Sequence, residues 1–361
     1  MATTMSGRTA TAETSTFRTG LLFAIGSAFA FGCSGPFGKA LMEAGWTPTA
    51  AVTARLAGGA LAMAVFATIM HPGWVRELRD HLRTVVLYGL VPIAGAQLFY
   101  YNAVAHLSVG VALLLEYTAP ILVVGWLWAT TRKRPTTLTL GGVALAVAGM
   151  VLVLGLVGPD GLAGAHINLA GVGFGLAAAV CAACYFLMSD KVGDAGPDGQ
   201  SALHPITLAT GGLFVGAAAV ALIGVSGVMP LRFTADDTVI AGWTVPWLVP
   251  VVAIALIPTA IAYTLGIVGI ARLRPRFASL VGLSEVLFAV LAAWVLVGES
   301  IAAAQAVGGA IVLLGLALAR QGDRGEQMVA DTAVTWPDAP VVDVAPANEG
   351  EPPARSANIT A

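Results

Sequence analysis

The sequence predicts an all-α polytopic membrane protein whose ten transmembrane helices form two inverted five-helix repeats. Of the 361 residues, 57% are hydrophobic and only 11% are charged, whereas about a quarter of the residues of a soluble domain are charged. Ten separate apolar stretches approach or exceed the length of about 20 residues that a helix needs to cross a bilayer. A sequence similarity between the two halves of the chain predicts the two repeats.

The ten predicted spans follow one another with short connections. They are residues 19–42, 48–70, 84–105, 108–130, 138–157, 168–189, 202–226, 246–269, 277–297 and 302–320. Residues 1–17 are polar and are predicted to be a disordered tail rather than a signal peptide, because the apolar run that follows lacks a cleavage pattern. Residues 321–361 are acidic and rich in Pro and Ala, and are predicted to be a second disordered tail. The two repeats would then occupy residues 18–157 and 168–320.

Basic residues predict the orientation of the chain. With the N-terminus inside, fifteen of the eighteen Lys and Arg residues fall in cytoplasmic segments, while Arg232 lies outside and Lys39 and Arg55 lie within spans. The positive-inside rule therefore predicts a multi-pass protein of the inner (plasma) membrane with both termini in the cytoplasm. A formal net charge of −2 gives no basic surface for nucleic acid.

A constant shift of 166 residues relates the two halves of the chain. It carries residues of the first half onto identical residues of the second, namely Pro92 onto Pro258, Trp128 onto Trp294, Gly142 onto Gly308 and Gly149 onto Gly315. Each unit holds five spans, an odd number, so the second unit is predicted to be upside down relative to the first. Inverted repeats of this kind place a substrate site near the bilayer midplane.

Small residues and one charged pair suggest how the helices pack. The glycines at 142, 149, 308 and 315, and the stripe Gly171, Gly175 and Ala179, predict close helix packing and leave a homodimer surface open. Lys39 and Glu43, four residues apart at the outer end of the first span, are predicted to be a structural ion pair.

Two glutamates lie where charge is costly. Glu116 is predicted about 10 Å below the outer membrane boundary and Glu285 about 14 Å above the inner one. Ionised side chains at such depths usually face a protein interior or a watery cavity and mark a pathway. They are therefore candidates to bind a substrate ammonium group or to exchange protons; the alternative is that neighbouring hydroxyl or backbone groups satisfy them.

Further polar residues in the spans are candidates to line the same cavity. Tyrosine can stack on a ligand and offer a hydroxyl group to it, although tyrosine also collects at the membrane interface. Arg55 is a candidate to hold a substrate carboxylate or to neutralise a buried glutamate; snorkelling to the interface is the alternative. The remaining candidates are Gln97, Tyr101, Tyr263, Tyr117 and Tyr185.

Two tracts carry a resemblance to a known family. The tracts are LSVGVALLLEYTAP from residue 107 and RLRPRFASLVGLSEVLFAVLAAWVLVGE from residue 272. Together with the paired five-helix units, they resemble the EamA-type drug/metabolite transporter superfamily over about residues 18–320. Within that superfamily, the first tract is most similar to the threonine/homoserine exporter branch. The resemblance implies ten helices, no ATP requirement, and export of amino acids or related metabolites. One departure is Val286, which follows Glu285 where the family often has proline.

The sequence thus favours a secondary transporter of small molecules by alternating access, with protons as a candidate coupling ion and no cofactor. An uncoupled facilitator, a membrane-embedded enzyme and a sensor without flux remain alternatives. No HExxH, GxSxG or Walker-type GxxxxGK motif occurs in the chain, so hydrolysis and ATP-driven work are unsupported.

Overall fold

The computed structural model describes residues 3–132, 134–154, 168–192, 203–266 and 275–334. The helices in chain order are α1 (Thr3–Gly32), α2 (Ser34–Glu43), α3 (Pro48–Met70), α4 (Trp74–Asp80), α5 (Leu82–Tyr88), α6 (Ala96–Val104), α7 (Val109–Glu116), α8 (Ala119–Thr131), α9 (Thr137–Val153), α10 (Leu169–Val192), α11 (Pro205–Val225), α12 (Leu248–Ala255), α13 (Pro275–Val297) and α14 (Ala303–Val334). The strands β1 (Thr238–Ile240) and β2 (Trp243–Val245) form a hairpin.

Apolar helices account for all ten predicted spans. Six stretches are long and apolar enough to cross a membrane: Arg18–Glu43, Pro48–Met70, Leu82–Val104, Val109–Thr130, Pro205–Val225 and Leu248–Gly266. Four shorter apolar helices, Thr137–Val153, Leu169–Tyr185, Leu283–Val297 and Ala303–Ala319, coincide with the remaining predictions. The chain is therefore a mostly helical, multi-pass membrane protein, and the count of ten crossings stays a prediction.

Both predicted tails differ from the structure where it describes them. Helix α1 begins at Thr3, inside the segment predicted to be disordered, and α14 continues past residue 320 to Val334. A helix that is already formed extends easily, because each further residue adds a hydrogen bond without a new nucleation step. Residues 335–361 lie outside the described residues.

Prolines interrupt two of the spanning helices. A proline inside a helix lacks an N–H and its ring clashes with the carbonyl four residues earlier. Helix α1 ends at Gly32, four residues before Pro36, and α7 ends at Glu116, four residues before Pro120. The first and fourth predicted spans therefore each consist of two half-helices.

Two further prolines produce wider turns. Residues Gly89–Gly95, with Pro92, and Leu256–Ile261, with Pro258, are π-helical. The two segments correspond under the shift of 166 residues. In the second, the hydroxyl of Thr259 donates to the carbonyl oxygen of Ile254 (3.1 Å), the group that a proline at 258 cannot pair. Helix bulges of this type often occur at functional sites.

Helices α9 and α14 cross with their backbones in contact. A methyl group on Gly142 would lie 2.6 Å from the carbonyl oxygen of Gly315, and one on Gly149 would lie 2.8 Å from that of Gly308. Small residues are therefore required on both helices, as the sequence predicted. Gly171 and Gly175 of α10 are likewise covered from within the chain, by the side chains of Leu107 and Leu115.

The β-hairpin belongs to the connection between α11 and α12. Its tip is bonded to the end of α13, because the Ala241 N–H donates to the carbonyl oxygen of Leu296 (2.8 Å). The irregular segment before it is joined to the connection between α2 and α3: the indole of Trp46 donates to the Thr234 carbonyl oxygen (2.9 Å), and the Arg232 N–H donates to the Thr47 hydroxyl (3.0 Å). These bonds connect segments from the two halves of the chain.

The predicted pairing of Lys39 with Glu43 is wrong. The ammonium group of Lys39 contacts the carboxylate of Glu299 in the connection between α13 and α14, whereas Glu43 is exposed. A partner from the connection between α13 and α14 replaces the one that the spacing along α2 suggested.

Candidate functional site

Arg55 lies at the centre of a buried polar network. Its side chain, on α3, is 3% exposed and so does not snorkel to the interface. Nε donates to the Thr259 hydroxyl (3.3 Å), Nη2 donates to the Pro258 carbonyl oxygen (3.2 Å), and Nη1 contacts the side-chain oxygens of Ser34 and Gln97. The guanidinium group is thereby fixed between the first, third and eighth predicted spans.

The hydrogen-bonding partners of Arg55 are all uncharged. Among the described residues no carboxylate lies within ion-pair distance of its guanidinium group. Burying a cation without a close counter-ion is costly, because the attraction of an anion normally offsets part of the lost hydration. A charge held in this way can accept an anionic group of a ligand.

Tyr101 completes the network around Arg55. Its side chain is fully buried, and its hydroxyl donates to the backbone oxygen of Ser34 (3.0 Å). The Arg55 guanidinium lies 5.8 Å from the centre of the Tyr101 ring, which is within cation–π range. A side chain at Gly38 would collide with that ring, so the glycine lets α2 approach α6 closely.

The two glutamates of the site differ in their partners. Glu285 of α13 accepts a hydrogen bond from the Tyr117 hydroxyl (2.8 Å), and both residues are half-buried. The Glu116 carboxylate, at the end of α7, has no hydrogen-bond partner among the described residues. Both carboxylates interact electrostatically with Arg55, and they repel each other.

Two more tyrosines border this region. Tyr263 packs edge-on against Phe31 with ring centres 5.1 Å apart. Tyr185 lies against Tyr88 at 5.7 Å and is 38% exposed, the most accessible of the candidate residues. Contacts or charges thus connect six of the eight residues predicted for the site, namely Arg55, Gln97, Tyr101, Glu116, Tyr117 and Glu285. Tyr263 and Tyr185 lie instead against Phe31 and Tyr88.

Irregular helices surround the site. The break after Gly32 brings Ser34 to Arg55, the break after Glu116 positions Tyr117, and the π-helical turn at Pro258 exposes the carbonyl that Arg55 binds. Discontinuous helices near the midplane are the usual construction of substrate sites in secondary transporters, because they offer backbone polar groups inside the membrane.

Sequence reasoning missed Ser34 and Thr259. A signal existed for both, because each is a hydroxyl residue within two positions of a proline inside an apolar span. Ser and Thr side chains in membrane helices usually hydrogen-bond to the backbone of their own helix, however. The residue type alone therefore does not identify Ser34 and Thr259 as site residues. Their role depends on the tertiary position of Arg55.

The described residues contain no cluster of three His, Cys, Asp or Glu side chains arranged to hold a metal ion. The three cysteines are free thiols. The site offers a guanidinium group, two carboxylates, an amide and several phenols. This set can bind a small molecule that carries both charges.

Comparison with known proteins shows the family. The model of the EamA-like transporter family matches twice, over residues 18–155 and 169–321. The chain belongs to this family. The resemblance expected from the sequence is therefore confirmed, and the chain is homologous to membrane exporters of small metabolites.

Relatives of known function are exporters. The chain is 29% identical over 262 residues to the threonine/homoserine exporter RhtA of Escherichia coli (strain K12), which covers 72% of this chain and 77% of the relative. It is 29% identical over 253 residues to RhtA of Salmonella typhimurium (strain SL1344), covering 70% and 74%. A crystal structure of a protein 19% identical superposes with a TM-score of 0.58 over 84% of this chain and 97% of the other, and it shares the fold.

Proposed function

We propose that the protein is a secondary active transporter of the inner membrane that exports amino acids or related small metabolites by alternating access. The single observation that carries this proposal is Arg55, a buried guanidinium group that contacts only uncharged partners and lies in one interior site with two carboxylates. Homology to exporters of threonine and homoserine supports the same reading.

The charges of the site fit a zwitterion. The Arg55 guanidinium would hold the substrate carboxylate, because a planar fork of N–H groups binds carboxylates in pairs of hydrogen bonds. The Glu116 carboxylate, which lacks a hydrogen-bond partner, would hold the ammonium group. Gln97, Tyr101, Tyr117, Tyr185, Tyr263 and Glu285 would complete the lining. The substrate charges would thus provide close counter-ions for the Arg55 guanidinium and the Glu116 carboxylate.

Alternating access is supported by signs of inverted repetition. Gly142 meets Gly315 and Gly149 meets Gly308, although 142 corresponds to 308 and 149 to 315. Such reciprocal contacts are typical of two equivalent elements related by a two-fold axis. They also require α9 and α14 to run in opposite directions. The matching π-helical turns at Pro92 and Pro258 support the repeat independently.

Coupling to protons would use a carboxylate of the site, and Glu116 is the better candidate. Glu285 is held by Tyr117, whereas Glu116 is free of hydrogen bonds among the described residues. A proton could then occupy Glu116 when no ammonium group does. An uncoupled facilitator would have the same site without this exchange.

Flux measurements test the proposal. The purified protein in liposomes preloaded with threonine should take up labelled threonine by exchange. It should take up much less of the matching amine without a carboxylate or of the acid without an amino group. Exchange of neither threonine nor homoserine, with folding verified, would contradict the amino-acid proposal. Equal rates with and without a pH gradient would favour the facilitator.

The proposed orientation has a separate test. Single cysteines should react with an impermeant label on intact cells at position 234, in the connection before β1, but not at position 79 in α4. Labelling at position 79 from outside would reverse the orientation and move both termini to the other side.

A further inference from the structure

The Glu299 carboxylate joins three segments at the predicted outer end of the helices. One of its oxygens contacts the Lys39 ammonium group on α2, and the other accepts a hydrogen bond from the Val109 N–H at the start of α7 (3.0 Å). The side chains of Lys39 and Glu299 are 22% and 14% exposed, so water screens this ion pair only partly. Lys39 and Val109 belong to the first half of the chain and Glu299 belongs to the second.

Local structure positions Glu299 at this point. Helix α13 ends at Val297, and Gly298 follows with φ of 70°, a left-handed conformation that glycine adopts without strain. The Glu299 N–H then donates back to the carbonyl oxygen of Ala293 (3.2 Å). The carboxylate is thus presented directly beyond the end of α13, and it reaches the positive end of α7, where a helix favours a negative charge.

Each of the three segments leads by a continuous helix to a residue of the candidate site. Helix α2 connects Lys39 to Ser34, an acceptor of Arg55, over about 8 Å, and α7 connects Val109 to Glu116 over about 10 Å. Glu299 follows the end of α13 by two residues, and this helix runs about 18 Å from Val297 to Glu285. Helices are stiff over such lengths, so a displacement at Glu299 is transmitted to the site.

Free space already adjoins the carboxylate. A small crevice of about 40 Å³ lies beside it between α7 and α13, and its lining includes Ser108, Val111, Leu114, Val290, Glu299 and Gln305. It reaches from the outer connections to Leu114, two residues before Glu116. Separation of α7 from α13 would extend this space towards the site.

We propose that Glu299 is the outer gate of the transport path. While the path is closed to the outside, its carboxylate holds α2 and α7 against the end of α13, and release of these contacts opens the site outward. The proposal rests on the proposed function, because a gate has a purpose only if a substrate crosses.

Accessibility measurements test the gate without requiring transport. In a cysteine-free background, Ala112→Cys places a thiol on the face of α7 between Val109 and Glu116, at a position that is now fully buried. An impermeant maleimide applied from outside should label this thiol slowly. Glu299→Gln should raise the labelling rate about ten-fold, because it removes the charge-assisted contact with Lys39. Lys39→Met should act in the same direction.

Glu43→Gln is the matched control, since it removes an equal charge one turn from Lys39 on an exposed position. It should leave the labelling rate at the parent value. Parent-like labelling in both Glu299→Gln and Lys39→Met would refute the gate. If the parent carries no flux but these variants label faster, the gate stands and the proposed function fails.

Discussion

The hydroxyl of Tyr117 donates a hydrogen bond of 2.8 Å to the carboxylate of Glu285, which lies 168 residues further along the chain. The bond crosses between the two halves of the chain, from the break between α7 and α8 to the middle of α13. It also makes the two glutamates unequal, because Glu116 receives no such bond among the described residues.

The Tyr117–Glu285 bond should couple the two helices energetically. Tyr117→Phe and Glu285→Gln should each lower the free energy of unfolding in mixed micelles. The double variant should lose less than the sum of the two, with a coupling of about 0.5–1.5 kcal/mol, as expected of hydrogen bonds inside membranes. Strict additivity would mean that the bond contributes nothing to stability.

Glu116→Gln should change transport more than stability. Glutamine keeps the volume of the side chain but can neither carry a proton nor attract an ammonium group. If Glu116 couples protons, the variant should lose dependence on the pH gradient while exchange stays measurable. If it holds the ammonium group, binding of amino compounds should weaken more than that of neutral ones. Unchanged flux, preference and pH profile in liposomes would show that Glu116 is structural.

Arg55→Lys should not preserve function. Lysine is a compact point charge and cannot bridge the acceptors on α2, α6 and the turn at Pro258 as the guanidinium fork does. We expect the KM for substrates with a carboxylate to rise about ten-fold or more, because one charge-assisted hydrogen bond to the substrate is lost. Thr53→Val, two residues earlier on α3, serves as the control in the same flux measurement. A parent-like KM would exclude Arg55 as the carboxylate partner.

Gly142→Ala should destabilise the protein. The added methyl group would meet the backbone of α14, which cannot yield as a flexible side chain can, and overpacking of this kind costs about 1–3 kcal/mol. Gly141→Ala is the matched control, because nothing lies within 4 Å of a methyl group at that position. The melting temperature in detergent should fall for the first variant alone. Equal values would contradict the close contact of α9 with α14.

Glu77, in the short helix α4 outside the membrane spans, should make stability depend on pH. Burial opposes its ionisation, but hydrogen bonds from the Thr207 hydroxyl, the His204 N–H and His71, with the attraction of His71, outweigh burial and lower the pKa of Glu77. A lowered pKa in the folded state adds stability above the ordinary pKa of glutamate, and this stability is lost as the pH falls through the lowered value.

Thermal unfolding at several pH values checks this sign. Glu77→Gln should lower the melting temperature at neutral pH, and the difference from the parent should shrink as the pH falls below the ordinary range of carboxyl groups. Asp80→Asn, an exposed position on the same helix, is the control. A difference that grows on acidification would contradict the assignment.

Much of the fold was predictable because the membrane imposes a simple rule on sequence. Every spanning segment must satisfy its own backbone hydrogen bonds, so long apolar runs report helices directly. Ionisable residues within such runs are rare, and Arg55, Glu116 and Glu285 therefore stood out without a structure. The predicted family followed from the tract that contains Glu116, and it is confirmed.

Tertiary contacts were harder to predict. Lys39 has Glu43 one turn away, yet it pairs with Glu299, because the relative position of α2 and α13 is not encoded in local spacing. The acceptors of Arg55 include a backbone carbonyl at Pro258, a group that every residue possesses and no pattern distinguishes. The sequence also gave no sign that Tyr117 would select Glu285 over the adjacent Glu116.

The crossing of α9 with α14 has a mechanical consequence. Two helices that touch backbone to backbone interlock, and neither can slide or roll without a steric collision at Gly142, Gly149, Gly308 or Gly315. This pair would then behave as a stationary frame, and the rearrangement that moves a solute must be carried by the remaining helices. A covalent bridge between α9 and α14 would accordingly leave turnover intact, while one between α2 and α13 would arrest it.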